Sequence, residues 1–203
     1  MTRGPSPLCF DATAHAFTFE GVRVPHVTML SVPKTVKDQL EFLSDGRPAE
    51  RGTRIHKLTV KMDLASEQNQ RRIIASASAE DQRYLRQWAV WKAVNRPHFT
   101  HIETPLYRDD LRVAGIVDRI GILTTSRYAG EVVLDIKTCA PAKHHGVQLA
   151  AYDLLAPYRG SLPRRRLGVY LRDGQLIVRE YEDPEDYTVF LSRLESYWRT
   201  HNG

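Results

Sequence analysis

Val132-Val133-Leu134-Asp135-Ile136-Lys137 is the stretch on which the reading turns. Its period of two predicts a strand with Val133, Asp135 and Lys137 on one face and Val132, Leu134 and Ile136 on the other. A carboxylate and an ammonium then project side by side. By composition alone an acid two residues before a lysine arises about once in such a chain, and a plain ion pair at a strand end is its commonest meaning. The surroundings shift that balance. The neighbouring segment, Leu111 to Thr124, predicts a strand whose Ala114, Ile116, Asp118, Ile120 and Ile122 face is apolar but for one acid. A carboxylate buried in such a row needs a cation, from Arg119, Lys137 or a metal. If Asp118 lies across from Asp135, two carboxylates converge beside one lysine, which suits a hard divalent ion such as Mg2+ or Mn2+. The alternative for Asp118 is an ion pair with a neighbouring arginine.

Outward from this pair, His101 to Arg108, Leu111 to Thr124 and Glu131 to Thr138 predict a three-stranded meander with turns at Asp109-Asp110 and Tyr128-Ala129-Gly130. A helix from His144 to Leu155 follows, then a hairpin of Leu167 to Leu171 and Gln175 to Tyr181 about Asp173-Gly174, and a helix from Pro184 to Thr200. Upstream, residues 34 to 96 read as helical: Thr35 to Leu43, a break at Asp45-Gly46, Pro48 to Leu64, and a helix that starts at Ser78-Ala79-Glu80-Asp81 and stops before Pro97. Residues 10 to 30 read as a hairpin about Gly21. The fold class is α/β (α+β), a central mixed sheet flanked by helices, with residues 1–30 as a leader and 31–203 as a single domain.

The chain has 203 residues, 42% hydrophobic and 26% charged, enough for one sizeable core. No uninterrupted apolar run approaches a membrane span, and none follows Met1 to Cys9, so neither membrane insertion nor a signal peptide is expected and a cytoplasmic location is. Cys9 and Cys139 fall short of a cysteine-built cluster and read as unbridged thiols. The net charge of +5 comes with 22 Arg against 7 Lys, which favours a polyanionic partner.

Two helix faces carry further candidates. Gly52 and His56, four apart, share a face next to the apolar stripe of Ile55, Leu58 and Met62, and a glycine inside a helix suggests close passage of something over its backbone. Gln148 and Tyr152, also four apart, sit at the edge of a stripe of Val147, Ala151, Leu154 and Leu155, placed to bind a phosphate, to hold Lys137, or to face solvent. Basic groups recur at Arg47, Arg51 and Arg54, at Arg71-Arg72, at Lys143, His144 and His145, and at Arg164, Arg165 and Arg166. They read either as phosphate contacts along a groove or as a solvated basic surface. Tyr84, Trp88, Trp91 and Tyr197-Trp198 read as core, with a base-stacking platform or a partner surface as the alternative.

In order, Gly52-x-x-x-His56, Glu103, Gly115-x-x-Asp118, Asp135-x-Lys137 and Gln148-x-x-x-Tyr152 resemble the motifs of the RecB-like branch of the PD-(D/E)XK nuclease superfamily. The resemblance covers residues 47 to 157, and the leader Gly21 to Thr28 looks like that of small phage members. It implies a restriction-endonuclease-like core and a metal-dependent DNA exonuclease serving recombination, replication or repair. His56, Asp118, Asp135 and the Ile136 carbonyl would hold Mg2+ or Mn2+, with Glu103 as a further acid. Lys137 would align or activate the attacking water, and Gln148 and Tyr152 would organise the site. DNA would be contacted by Arg51, Arg54, Lys143, Arg164, Arg165 and Arg166. An iron–sulfur cluster is not implied, because four cysteines are lacking, and neither is a helicase, because no Gly-rich phosphate loop is present. The implied partners are DNA and, beyond it, a single-strand annealing protein or helicase, with a homo-oligomer also compatible. The rival readings are a structure-specific or nicking endonuclease using the same residues, and a noncatalytic DNA-binding or interaction module.

Overall fold

Ser78 begins the helix that sets one side of the molecule. Its hydroxyl accepts from the Asp81 N–H at 3.1 Å, Glu80 and Asp81 occupy the positive first turn, and Arg96 closes the far end in the left-handed conformation just before Pro97 starts a strand. The computed structural model describes residues 7–33, 47–157, 164–172 and 174–201. The expected helix over Thr35 to Leu43, its break at Asp45-Gly46, the Arg47 side chain and Asp173 lie outside them.

Among the described residues the elements run β1 (Leu8–Asp11), β2 (Ala16–Phe19), β3 (Val22–Val24), α1 (Val27–Ser31), α2 (Arg47–Asp63), α3 (Glu67–Ser76) and α4 (Ala79–Asn95). Then come β4 (Pro97–Arg108), β5 (Val113–Leu123), β6 (Gly130–Lys137), α5 (Lys143–Leu155), β7 (Arg165–Arg172), β8 (Gln175–Glu180) and α6 (Glu185–His201). Five strands form a mixed sheet in the order β4-β5-β6-β7-β8, in which β6 and β7 alone are parallel. Parallel pairing needs a crossover, and α5 supplies it. The meander, the crossover helix and the late hairpin are as the period-two and period-3.6 patterns predict.

Both faces of the sheet are covered. Val132, Leu134 and Ile136 of β6 pack with Ile55 and Met62 of α2 and with Leu85, Trp88 and Trp91 of α4. Val133 and Ile120 pack on the other face with Val147 and Leu149 of α5, Phe190 and Leu194 of α6, and Val27 and Leu30 of α1. Trp88 and Trp91 are stacked at 4.8 Å and fully buried, so they are core and not a platform for a base. No helix among the described residues is long and apolar enough to cross a membrane.

The leader differs from the expected hairpin in two ways. Leu8–Asp11 adds a third strand, closed by a turn in which Asp11 Oδ1 accepts from the Thr13 and Ala14 N–H groups. His26 then starts the short α1, its Nδ1 accepting from the Met29 N–H. The small sheet is fixed to the large one: Phe19 stacks on Tyr107 at 3.9 Å, and the Pro25 carbonyl accepts from the Ala114 N–H at 3.0 Å. The helical region also holds α3, whose polar sequence buries no residue and which is absent from the expected element list.

Candidate metal centre

The site forms at Asp118, where β5 is unpaired on both sides. Toward β6 the last pair is Arg119 with Leu134, one residue short of Asp118 and Asp135. Toward β4, Ile102 pairs with Arg119 and Thr104 with Val117, so Glu103 stands opposite Asp118 but is left out of the ladder. Glu103 takes a left-handed backbone (φ 43°), which costs a residue with a Cβ about 1–2 kcal/mol and is sustained only where surroundings enforce it. The strands part here, and the Ile136 N–H is taken up by the Asp118 carboxylate, Oδ2, at 2.7 Å inside the protein.

Helix α2 brings His56 over this gap because Ile55, Thr59 and Met62 on the adjoining face are buried. Its Nε2 lies 2.7 Å from the Ile136 carbonyl oxygen, its Nδ1 3.3 Å from Glu103 Oε1 and 3.5 Å from Asp118 Oδ2. One ligand atom from each of His56, Glu103 and Asp118 falls within 4.8 Å of the others. Glu103 is thus a full member of the cluster. Asp135 stands just behind it, 2% exposed, with Oδ2 in contact with Lys137 Nζ at 2.6 Å but without directed hydrogen-bond geometry. Lys137 Nζ donates to Gln148 Oε1 at 2.9 Å, and Gln148 Nε2 donates to the Tyr152 hydroxyl at 3.1 Å. Of the openings left for Gln148 and Tyr152, the geometry therefore selects the one in which they hold Lys137.

The electrostatics follow from this crowding. Burial lowers the proton affinity of His56, but Asp118, Glu103 and Asp135 outweigh it and raise the imidazole to about 9. Both ring nitrogens then carry protons, one aimed at the acids and one at the Ile136 carbonyl. Burial raises the Asp135 carboxyl to about 6 against the pull of Lys137, with Asp118 adding to the rise. Burial opposes the charge on Lys137, and Asp135 and Asp118 overcome it, so the side chain stays an ammonium and acts as a donor. Glu103 is held below the usual carboxylate range by His56 and Arg119 despite burial, which acts the other way. Once an ion displaces the proton from one His56 nitrogen, the donor set fits a hard divalent ion: three clustered side-chain ligands and a backbone carbonyl, with the Asp135 carboxylate, ion-paired to Lys137, behind them.

Arg119, a candidate cation for Asp118, turns away from that carboxylate. Fully buried, it donates to Asp63 Oδ2 at 2.7 Å, to Thr59 Oγ1 at 3.1 Å, to Glu103 Oε1 at 3.2 Å and to its neighbour's carbonyl, Asp118 O, at 2.7 Å. Asp63 in turn takes Lys92 and the Trp88 indole N–H, both at 2.9 Å. Arg119 and Asp63 thus position Glu103 from behind, a role with no local sequence signal beyond a charge at an alternate strand position. Gly115 sits tightly near the site: a Cβ there would stand 3.0 Å from the Val27 side chain and 3.1 Å from the Tyr152 ring, so those side chains would have to shift by a few tenths of an ångström. Gly52 corrects the expectation of close passage, since a Cβ would meet only Thr138 Oγ1 at 3.6 Å, an ordinary contact.

Several expected phosphate contacts are spoken for. Arg164 pairs with Asp153 and Glu131 and donates to the Pro157 carbonyl. Arg166 is 4% exposed, pairs with Asp186 and donates to the Asp183 carbonyl at 2.8 Å. Arg165 pairs with Glu180 at 2.7 Å, and it stands level with Val132, three residues along β6 from Asp135. The triplet thus braces β7 to its neighbours while lining, with Glu131, Glu180 and Tyr187, a cleft of about 520 Å3. Arg54 is tied to Asp81 and Glu80 at the start of α4, and His145 is buried and pulled down to about 3, hence neutral. Lys143 and Arg71-Arg72 are exposed, and Arg51 lies half-buried over the Tyr84 ring with its Nε unpartnered.

A cleft of about 270 Å3 opens beside the cluster, with Glu103, Asp118 and Tyr152 on one side and residues of the leader on the other. No family model matches the chain, and no curated protein matches it. Among solved structures, the crystal structure of SSO0001 matches over 86% of this chain and 75% of that one, at 19% identity and a TM-score of 0.40. At that level of likeness the chain's own geometry has to carry the functional reading.

Proposed function

We propose that this chain is a metal-dependent deoxyribonuclease of RecB-like exonuclease type, built on a restriction-endonuclease-like core within the PD-(D/E)XK superfamily. One observation carries the reading. His56, Glu103 and Asp118 offer ligand atoms within 4.8 Å of one another at a break in the sheet, with the Asp135–Lys137 pair directly behind them. A protein relieved of chemistry has no physical need to gather three carboxylates and an ammonium where two of the acids, Asp118 and Asp135, are almost fully desolvated.

His56, Glu103, Asp118, the Ile136 carbonyl and Asp135 would hold Mg2+ or Mn2+, which when bound supplies charge neutralisation and a more acidic water. The chain's own residues do the rest. Lys137, kept cationic by Asp135 and steered by Gln148, donates to the nonbridging phosphate oxygens, where negative charge grows as the water oxygen bonds to phosphorus and the bridging P–O bond breaks. Tyr152 holds Gln148 and thereby fixes the direction of Lys137. Lys143 and Arg51 remain as positioning contacts for the DNA backbone.

Digestion of end-labelled linear duplex and closed circular DNA, with Mg2+, Mn2+ or EDTA, tests this on wild type and Asp135→Ala. Metal-dependent loss of the linear substrate alone, absent in the variant, is expected. Cutting of the circle would make the enzyme an endonuclease, and no cutting in either metal would overturn the hydrolytic reading.

A further inference from the structure

The cleft beside the acids has a second wall that the cleavage chemistry leaves unused. Phe10, His15 and Phe17 line it opposite Glu103, Asp118 and Tyr152. Phe17 is 3% exposed and forms the floor on which Phe10 rests, with ring centroids 4.6 Å apart. His15 stands edge-on to Phe10 at 6.4 Å. Phe10 itself is 38% exposed, so an aromatic ring is held at the surface within the same cleft as two carboxylates. The wall is also fixed in place, because Phe19 on Tyr107 and Pro25 on Ala114 fasten the small sheet to β4 and β5, the strands that carry Glu103 and Asp118.

These two walls ask for different things of one ligand. Carboxylates that hold a divalent ion bring in a phosphate, and an aromatic face beside them gains from a flat ring. A nucleotide offers both at one nucleotide's spacing. The volume, about 270 Å3, sits at the lower edge of the roughly 300–1,000 Å3 typical of small-molecule sites and suits a single base, not a stacked pair. A base inside a duplex has both faces covered by its neighbours, whereas an unpaired base can give one to a side chain.

We propose that Phe10 and His15 form a nucleobase subsite, in which the base next to the scissile phosphate stacks on Phe10, so that the substrate of this site is an unpaired DNA strand. The role given to Glu103 and Asp118 here rests on the deoxyribonuclease reading. The stacking itself does not depend on cleavage.

The test has two arms. Binding of a fluorescent oligothymidylate of about ten nucleotides, and of a blunt-ended duplex, is measured in EDTA for wild type, Phe10→Ala, Phe10→Leu and Phe10→Trp. Phe10→Ala should bind the single strand roughly 5- to 100-fold more weakly. Phe10→Trp should restore binding. Phe10→Leu, which keeps the packing on Phe17, should not, and the duplex should be insensitive to all three. Equal affinities for wild type and Phe10→Ala, or full binding by Phe10→Leu, would overturn the subsite. In the second arm, with Mn2+, hydrolysis of the p-nitrophenyl ester of thymidine 5′-phosphate is compared with that of methyl p-nitrophenyl phosphate, which has the same leaving group but no base. Phe10→Ala should slow only the first. Wild type cutting neither would sink the hydrolytic reading while leaving the binding arm to decide the subsite.

Discussion

Replacing Arg119 by Met removes the cation that joins the core to the candidate metal centre, and its cost can be worked out bond by bond. Arg119 has no exposed surface and makes four hydrogen bonds, to Asp63, Glu103, Thr59 and the Asp118 carbonyl. Breaking a buried pair by deleting one partner costs about 3–5 kcal/mol, because the other charge is left behind. Asp63 keeps Lys92 and Trp88, which places the loss near the lower end, at about 3 kcal/mol. For a chain of this length that is a fall in Tm of roughly 6–12 °C. Urea unfolding should show a lower midpoint with an unchanged m-value. Combining Arg119→Met with Asp63→Asn should cost less than the sum of the two, with a coupling of about 1 kcal/mol or more. Glu103 also loses its brace, so metal affinity or cleavage should drop roughly 10- to 100-fold. A destabilisation below about 1 kcal/mol, with additive variants, would refute the claim that this pair organises the site.

Three further outcomes follow from named geometry. Glu103→Gly should be about 1 kcal/mol more stable than Glu103→Ala, since both lack the carboxylate but glycine accepts φ 43° freely; a thermal melt of the two settles it. His145, held near 3 by burial and by Lys137, is neutral when folded and ordinary at 6.5 when unfolded, so below pH 6.5 the unfolded chain binds more protons at this position and this group's contribution to stability falls. Asp135 and His56, both raised, act the other way over the same range but equally in the two proteins, so between pH 6.5 and 5 wild type should lose about 2 kcal/mol relative to His145→Gln, which retains an acceptor for the Ala142 N–H, in urea titrations. Gln148→Ala should lower cleavage roughly 10- to 100-fold with little change in DNA affinity; an equal loss of binding would move Gln148 from positioning Lys137 to holding the substrate.

How much of this could be read from the chain differs by the range of the interaction. Asp135 and Lys137 share a face because strands alternate, a local rule, and the Ser78 cap and the glycine turns are local too. The pairing of β5 with β6 that brings Asp118 beside Asp135 required only two adjacent strands in register. Glu103 lay beyond such rules, since nothing in Ile102-Glu103-Thr104-Pro105 announces a left-handed residue, and its closeness to His56 spans 47 positions. The ion pairs of the arginine triplet were hidden for the same reason: Asp153, Glu131, Glu180 and Asp186 come from four separate places in the chain. The leader hid most. β1 is only four residues long, and α1 is capped by a histidine, which is not among the usual capping residues.

The account stands or falls on whether these carboxylates hold a catalytic ion, and the direct measurement is Mn2+ binding by equilibrium dialysis alongside digestion of labelled linear DNA, on wild type and Asp118→Asn. Asparagine keeps an acceptor for the Ile136 N–H, so folding should be spared where alanine would orphan a buried donor. The account predicts that wild type binds Mn2+ and cuts only in its presence, and that Asp118→Asn melts like wild type yet loses both. Undiminished Mn2+ binding in Asp118→Asn, or cutting that persists in EDTA, would contradict it.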